Sequence, residues 1–352
     1  MQQPAFCFPL DGSPVECREL PGGQINRSFL VTTDRGARYV LQRVNRYVFP
    51  NICAVMQNAE KIGDWMARRP DAFPAAIRYL PTAGGATWID DEQGGSWRCY
   101  RYVEHSLCLP KPESPADLEQ GGIAFGRFLQ TLEGFPAEEL EETIPHFHDT
   151  PERYRQLRRA AEQDPCGRLA GAGDALEEAL ARESAASRLH ALRLSGALPL
   201  RVTHNDTKFG NVLLDETTRR ALCVIDLDTV MPGLSAFDFG DAIRSAAAVG
   251  TEDEPDSLDL GRFAAFTRGF LAGCPGLTAE ERAALPLGAY TMSVELGVRF
   301  LTDHLLGDPY FTVTDAGRNL RRARRHFRLA SDMQRKREQM AEIVDRAGCQ
   351  FT

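Results

Sequence analysis

Residues 204–211 read His204-Asn205-Asp206-Thr207-Lys208-Phe209-Gly210-Asn211, and Asp226 follows inside the run Cys223-Val224-Ile225-Asp226-Leu227-Asp228. An Asp, a Lys two positions on and an Asn five positions on meet the needs of phosphoryl transfer. That reaction asks for a group to align a hydroxyl and accept its proton, and for oxygen ligands that hold Mg²⁺ against nucleotide phosphates. Asp206 is the candidate base, and Asn211 and Asp226 supply hard oxygen donors suited to Mg²⁺. Lys208 lies between them in sequence and suits neutralisation of the transferring group.

The elements around the motif explain its spacing. Val212-Leu213-Leu214 reads as a strand, Asp215 to Arg220 as a turn and Ala221 to Ile225 as the return strand. This hairpin carries Asp226 back alongside the loop that holds Asn211. His204 is expected to pack and hydrogen-bond the loop rather than to move protons. Asp228 reads as a second metal contact or as a turn former.

These residues resemble the aminoglycoside phosphotransferase and choline kinase superfamily, whose pattern is His-x-Asp-x-x-x-x-Asn followed by a strand ending in Ile-Asp. Longer strings are similar to bacterial N-acetylhexosamine 1-kinases: 39–45 (YVLQRVN), 204–208 (HNDTK), 224–233 (VIDLDTVMPG), 237–241 (FDFGD) and 299–303 (RFLTD). The resemblance implies a two-lobed, protein-kinase-like α+β fold. A small β-sheet lobe over 1–103 would bind nucleotide, and a larger, mainly helical lobe over 104–352 would carry catalysis and acceptor binding. It implies ATP and Mg²⁺ as cofactors and the anomeric hydroxyl of GlcNAc or GalNAc as acceptor. Kinases of choline, homoserine or aminoglycosides are the alternatives, as is an ATP-binding scaffold without turnover. A protein kinase is disfavoured because the chain lacks the Ala-Pro-Glu signature.

The triplet Asp238-Phe239-Gly240 matches the metal-binding triplet of protein kinases but lies too far beyond Asp206. It is expected to cap a helix beginning near Phe239 or to tie down the catalytic loop.

Upstream, the glycine-bearing stretch with Gly23, Asn26 and Ser28 reads as a turn, then a strand that covers phosphates. Asp34-Arg35-Gly36 reads as a hairpin turn and Tyr39 to Val44 as the return strand. A kinase lysine normally ends this strand, yet here the matching positions hold Gln42 and Arg43. Alternation puts the two on opposite faces, so only one reaches the nucleotide. Residues 51–68 read as a helix whose Glu60 is positioned to pair with Arg43. Two strands follow within 87–103, and Tyr102 and Val103 read as a hinge with backbone groups for adenine.

Beyond residue 105 the pattern is helical, with starts expected near 114, 173, 259, 278 and 288. The 143–150 loop, containing His146, resembles a segment lining the sugar pocket. Glu295, Arg299 and Asp303 recur at helical spacing as an ion-pair ladder or as a polar wall for sugar hydroxyls. Arg299 and Asp303 are the candidates for acceptor contacts, together with His146 and Asp206.

The chain has 352 residues, 43% of them hydrophobic, and a formal charge of −8. That supports a sizeable core and argues against a nucleic-acid partner. Nine cysteines without C-x-x-C pairing and no recognisable signal peptide lead to an expectation of reduced thiols in a cytosol. No apolar stretch approaches membrane-spanning length.

Overall fold

A computed structural model describes residues 3–21, 25–69, 73–250 and 255–349. The chain divides into two compact units. Unit 1 comprises 1–110, 134–145 and 210–232, and unit 2 comprises 111–133, 146–209 and 233–352. The first unit thus takes in two later segments in addition to the N-terminal stretch, including the hairpin after Asn211.

Unit 1 is built on a five-stranded antiparallel sheet. Its strands are β1 (Pro14–Glu19), β2 (Arg27–Thr33), β3 (Arg38–Val44), β4 (Trp88–Asp90) and β5 (Ser96–Arg101), in the order β1-β2-β3-β5-β4. Side chains alternate across the sheet. Phe29, Val31, Tyr39, Leu41, Trp97 and Cys99 pack on one face. Val44 packs with Phe49, Val55 and Met56 on the other side, where helix α1 (Ile52–Ala67) lies. Asn51 caps α1 by accepting a hydrogen bond from the Ala54 N–H.

Register decides which polar side chains meet. Ser28 stands opposite Gln42, and Gln42 opposite Arg98, so these three form a row on one face. Arg27, Arg43 and Trp97 form the neighbouring row on the other face. A second, three-stranded sheet joins β6 (Ser106–Cys108), β8 (Val212–Asp215) and β9 (Ala221–Val224). The hairpin read between Asn211 and Asp226 is β8–β9.

Unit 2 is helical: α2 (Pro115–Thr131), α3 (Thr150–Gln163), α4 (Gly173–Ala186), α5 (Arg188–Leu194), α6 (Ser235–Ala242), α7 (Leu260–Gly273), α8 (Ala279–Leu305), α9 (Arg318–Arg335) and α10 (Arg337–Gly348), with the short strand β7 (Arg201–Thr203). Capping boxes start α2 at Ser114 with Asp117 and α8 at Thr278 with Glu281. Tyr154, Leu157, Val294, Leu301 and Phe327 centre one core.

Two expectations change. The stretch 173–193 is two helices, broken at Ser187. The stretches 278–285 and 288–304 are one helix that runs through Pro286. A proline removes one N–H and crowds the preceding turn. The cost is met by packing on both sides of it, since Leu285, Ala289, Val294, Val298 and Leu301 are fully buried.

Helices α2 and α7 approach through glycines. A Cβ on Gly122 would overlap the Phe266 carbonyl oxygen, and one on Gly126 the Phe270 carbonyl oxygen. Gly122→Ala should therefore lower stability by about 1–3 kcal/mol. Gly173→Ala, where an added Cβ meets nothing within 4 Å, should be neutral or raise stability by up to ~1 kcal/mol. Thermal and urea unfolding of both variants check this. Equal effects would sink the close-approach account.

Candidate active site

The loop carrying Asp206 follows β7 and belongs to unit 2 up to Phe209. Its backbone is held by two buried carboxylates on α6. Asp238 accepts hydrogen bonds from the N–H groups of His204 (2.8 Å) and Asn205 (2.7 Å). Asp241 accepts from the Thr207 N–H at 2.9 Å, and the Thr207 hydroxyl donates to the Asp238 carbonyl at 2.6 Å. The backbone N–H groups at 204, 205 and 207, on both sides of Asp206, are thereby fixed. Asp238 does not cap a helix: α6 already starts at Ser235, and its carboxylate is spent on the loop. Of the two roles read for it, the second is the observed one.

The loop is also gripped from below. His204 is fully buried, its ring edge-on to Phe125 and Phe128 of α2 at 5.6 Å each. Its Nδ1 accepts the Asp206 N–H at 3.3 Å, a structural role as read from sequence. Asn205 sits at φ 63°, a region unfavourable for a side-chain-bearing residue. Its side chain closes on β7, accepting from the Thr203 hydroxyl (2.9 Å) and donating to the Thr203 carbonyl (3.2 Å). An added Cβ on Gly233 would strike Thr203, which explains the glycine after Pro232.

Asp206 and Lys208 are partly exposed, with Lys208 Nζ 3.1 Å from Asp206 Oδ1. A carboxylate on a rigid loop with an ammonium beside it can orient a hydroxyl and accept its proton.

His148 contributes a support that the sequence did not disclose as such. Its ring bridges Glu295 Oε1 (2.8 Å) and the Asn205 carbonyl (3.2 Å). Glu295 also accepts from the Thr150 hydroxyl at 2.8 Å. Burial pushes the Glu295 carboxyl up, but His148 and its hydrogen bond more than offset this, leaving the group below its ordinary range. Burial likewise opposes ionisation of Asp241, and Arg244, 2.6 Å away, outweighs it.

The expected ladder on α8 is three separate attachments. Glu295 goes to His148 and Thr150. The Arg299 guanidinium lies over the rings of Phe147, Tyr310 and Phe311 at 5.2–5.8 Å. Asp303 accepts from the N–H groups of Tyr310 and Phe311 and from Asn319 Nδ2, each at 2.9 Å. His146 is exposed at φ 56°, with Nδ1 3.3 Å from Asp149.

The remaining candidates belong to unit 1. Asn211 ends a short 3₁₀ turn, and its carbonyl accepts the Ile225 N–H at 2.9 Å. That bond sets the chain just before Asp226, which takes φ 64°, ψ 60°. Aspartate and asparagine take this left-handed region more readily than other side-chain-bearing residues, as Asn205, Asp164 and Asp308 do here. Asn211 and Asp226 are both half-buried and offer amide and carboxylate oxygens. The donor chemistry fits Mg²⁺, which is commonly held by one or two protein groups plus phosphate and water. Among the described residues no group of three or more His, Cys, Asp or Glu forms a cage of its own.

Asp228 is fully buried, within the short 3₁₀ turn Leu227–Thr229. It pairs with Arg98 of β5, and Asn26 Nδ2 donates to its Oδ2 at 2.6 Å. Asn26 Oδ1 accepts the Asn45 N–H, and the Thr143 hydroxyl donates to the Asp228 backbone carbonyl. Gln42 donates to Ser28 Oγ at 3.0 Å and accepts from Arg98 Nε at 3.0 Å. Arg43 instead runs along the other face to the β4–β5 turn, where a Cβ on Gly95 would lie 2.6 Å from its Nε. Glu60 accepts from the Thr87 hydroxyl in place of the expected Arg43 partner. The Tyr102 N–H donates to the Arg38 carbonyl (3.0 Å), and the Val103 carbonyl accepts from Ser106. Gly23 lies outside the described residues.

Residues 16–277 match the sequence model of the APH phosphotransferase enzyme family, and the chain belongs to that family. The fold is that of its solved relatives. An aminoglycoside phosphotransferase from Alicyclobacillus acidocaldarius is similar at TM-score 0.66 and 14% identity, over 98% of this chain and 96% of its own. A microcompartment-associated aminopropanol kinase is similar at TM-score 0.59 and 18% identity, over 97% of each chain. A choline kinase from Cryptosporidium parvum is similar at TM-score 0.55 and 14% identity, over 95% of this chain and 91% of its own. The protein-kinase-like fold implied by the resemblance is the fold of these relatives, and the phosphotransferase family read from the motif is the one matched. The protein is a small-molecule phosphotransferase. No helix among the described residues is long and apolar enough to cross a membrane.

Burial raises the Asp238 carboxyl from its ordinary value to about 6, against His204 and the two backbone N–H groups that favour its charged form. An acid whose folded value lies above its unfolded one binds more protons when folded. Its contribution is full below about pH 4 and is lost as pH rises through 6. Urea unfolding of wild type should therefore lose on the order of 1–3 kcal/mol between pH 4 and 7 that Asp238→Asn does not lose. Parallel pH profiles in the two proteins would contradict this.

Proposed function

We propose that this protein is an ATP-dependent kinase of a small hydroxyl compound, with Asp206 as the proton acceptor. The observation that carries the reading is the loop itself. Asp206 stands beside Lys208 on a backbone pinned by Asp238 and Asp241, in a chain of the phosphotransferase family. Asp206 holds the acceptor hydroxyl and takes its proton as the oxygen attacks the terminal phosphorus. Lys208, 3.1 Å from Asp206, offsets charge on the transferring group. Asn211 and Asp226 would hold Mg²⁺, whose chemistry there is neutralisation of phosphate charge. Solved relatives support a nucleotide donor: an amicoumacin kinase is in complex with AMP-PNP and Ca²⁺, and a spectinomycin phosphotransferase with ADP.

For the acceptor we infer an N-acetylhexosamine, GlcNAc or GalNAc, phosphorylated at its anomeric hydroxyl. The support is the similarity of the five longer strings to N-acetylhexosamine 1-kinases. Arg299 among three aromatic rings adds a planar donor of the kind that serves polyhydroxylated ligands. His146, exposed on the neighbouring loop, is the second acceptor contact. Asp303 holds the 310–311 backbone that presents Tyr310 to Arg299, and acts on the acceptor through that ring.

The test is ADP release with Mg-ATP across GlcNAc, GalNAc, glucose, galactose, choline, homoserine and kanamycin. Turnover should centre on the N-acetylhexosamines. Asp206→Asn should lower kcat about 10²–10⁴-fold while changing ADP affinity by no more than a few-fold. Turnover on choline, homoserine or kanamycin alone would replace the acceptor and keep the kinase. Full turnover by Asp206→Asn would remove the base assignment.

A further inference from the structure

The strand that ordinarily supplies a phosphate-binding lysine here carries Gln42, a neutral side chain, and Arg43 departs on the opposite face. The positive charge missing from β3 is present one strand over. Arg98 stands directly opposite Gln42 on β5, in the Ser28–Gln42–Arg98 row. Its side chain is fully buried.

Three partners hold the guanidinium. Nε donates to Gln42 Oε1 at 3.0 Å, Nη1 donates to Asp228, and the plane lies 4.7 Å from the Tyr79 ring centroid. Nη2 is buried and has no hydrogen-bond partner among the described residues. A buried guanidinium amine left without an acceptor costs on the order of 1–3 kcal/mol or more. The rest of the group is fixed too firmly for it to turn away. The groups around it are those a phosphate site uses. Ser28 lies in β2 and Asn26 just before it, and Asp226 and Asp228 lie close enough to stabilise the cation electrostatically.

We propose that Arg98 is the phosphate-binding cation of the nucleotide site, its Nη2 donating to a phosphate oxygen in place of the strand lysine. This rests on the kinase reading above. Arginine suits the displaced position because its fork binds Gln42 and Asp228 through two nitrogens and still presents a third. Lysine, with a single nitrogen, would satisfy Asp228 and leave no rigid donor in a fixed direction. Gln42 acts as the spacer that fills the vacated β3 position and orients the fork through Nε.

The discriminating quantity is the ratio of ADP to adenosine affinity, measured calorimetrically on the full chain with Mg²⁺ present. A phosphate contact affects ADP alone, whereas a structural role weakens both ligands alike. Arg98→Met should weaken ADP about 10–100-fold, the range of one charged hydrogen bond, with adenosine within about threefold. Adding Gln42→Lys to Arg98→Met returns the cation to β3 and should recover about tenfold or more of the ADP affinity. Equal loss for ADP and adenosine would overturn the assignment.

Wild-type protein labelled with ¹⁵N-arginine gives an answer even if Arg98→Met fails to fold. The slowly exchanging Arg98 Nη resonances, identified by their absence in Arg98→Lys, should move on addition of ADP and hold still with adenosine. No movement with ADP, in a protein that binds it, overturns the role of Arg98 and leaves the kinase intact. A wild type that binds neither ADP nor adenosine overturns the nucleotide site and this assignment together.

Discussion

The loop that carries Asp206 is a short irregular stretch whose geometry comes from two carboxylates on one turn of α6. Irregular backbone leaves N–H groups without a helix or sheet partner, and burying them unpaired is expensive. Asp238 and Asp241 supply acceptors to three such groups, at His204, Asn205 and Thr207. Ionised or proton-sharing acceptors in a buried setting make stronger hydrogen bonds than neutral ones. The loop can therefore sit in one conformation while Asp206 itself stays partly exposed to an incoming hydroxyl.

The charges that perform this service need support of their own. Arg244 keeps Asp241 ionised despite burial, and His148 does the same for Glu295 while reaching the Asn205 carbonyl. Each buried acid in this part of unit 2 is thus matched to a cation, a histidine or a set of backbone donors. Such arrangements seldom add net stability over a well-packed apolar alternative. Their return is positional, in that a reacting group displaced by about 1 Å loses on the order of 10²-fold in rate.

Unit 1 solves a parallel problem with a sheet. Antiparallel register places Ser28, Gln42 and Arg98 side by side, and Asp228 draws Arg98 and Asn26 together on the same polar cluster. A buried guanidinium is tolerated there because two of its nitrogens, and its face, are occupied. The left-handed conformations of Asn205 and Asp226 fall beside the groups proposed for catalysis and metal binding, where strain is paid for by the surrounding hydrogen bonds.

The catalytic motif, the β8–β9 hairpin after it and the antiparallel strands near the N-terminus were legible in the sequence. Each is written in local terms, as short spacings, alternation and turn residues. The structural part of His204 was legible for the same reason. The continuity of α8 through Pro286 was not, because a local breaker was overridden by packing on both sides of it. The partners of Glu60, Asp303 and Arg299 were also out of reach, since equal helical spacing does not say which neighbouring element supplies the partner. Arg98 carried no signal at all: it is one arginine in an ordinary strand, and its meaning comes from facing Gln42 in register and Asp228 at a separation of 130 residues. The sequence by itself determined the phosphotransferase class, because the motif that carries it, from His204 to Asn211, lies within a few residues. Tertiary structure decided which charges are buried, what holds them and which strand bears the cation, because those depend on contacts between segments far apart along the chain.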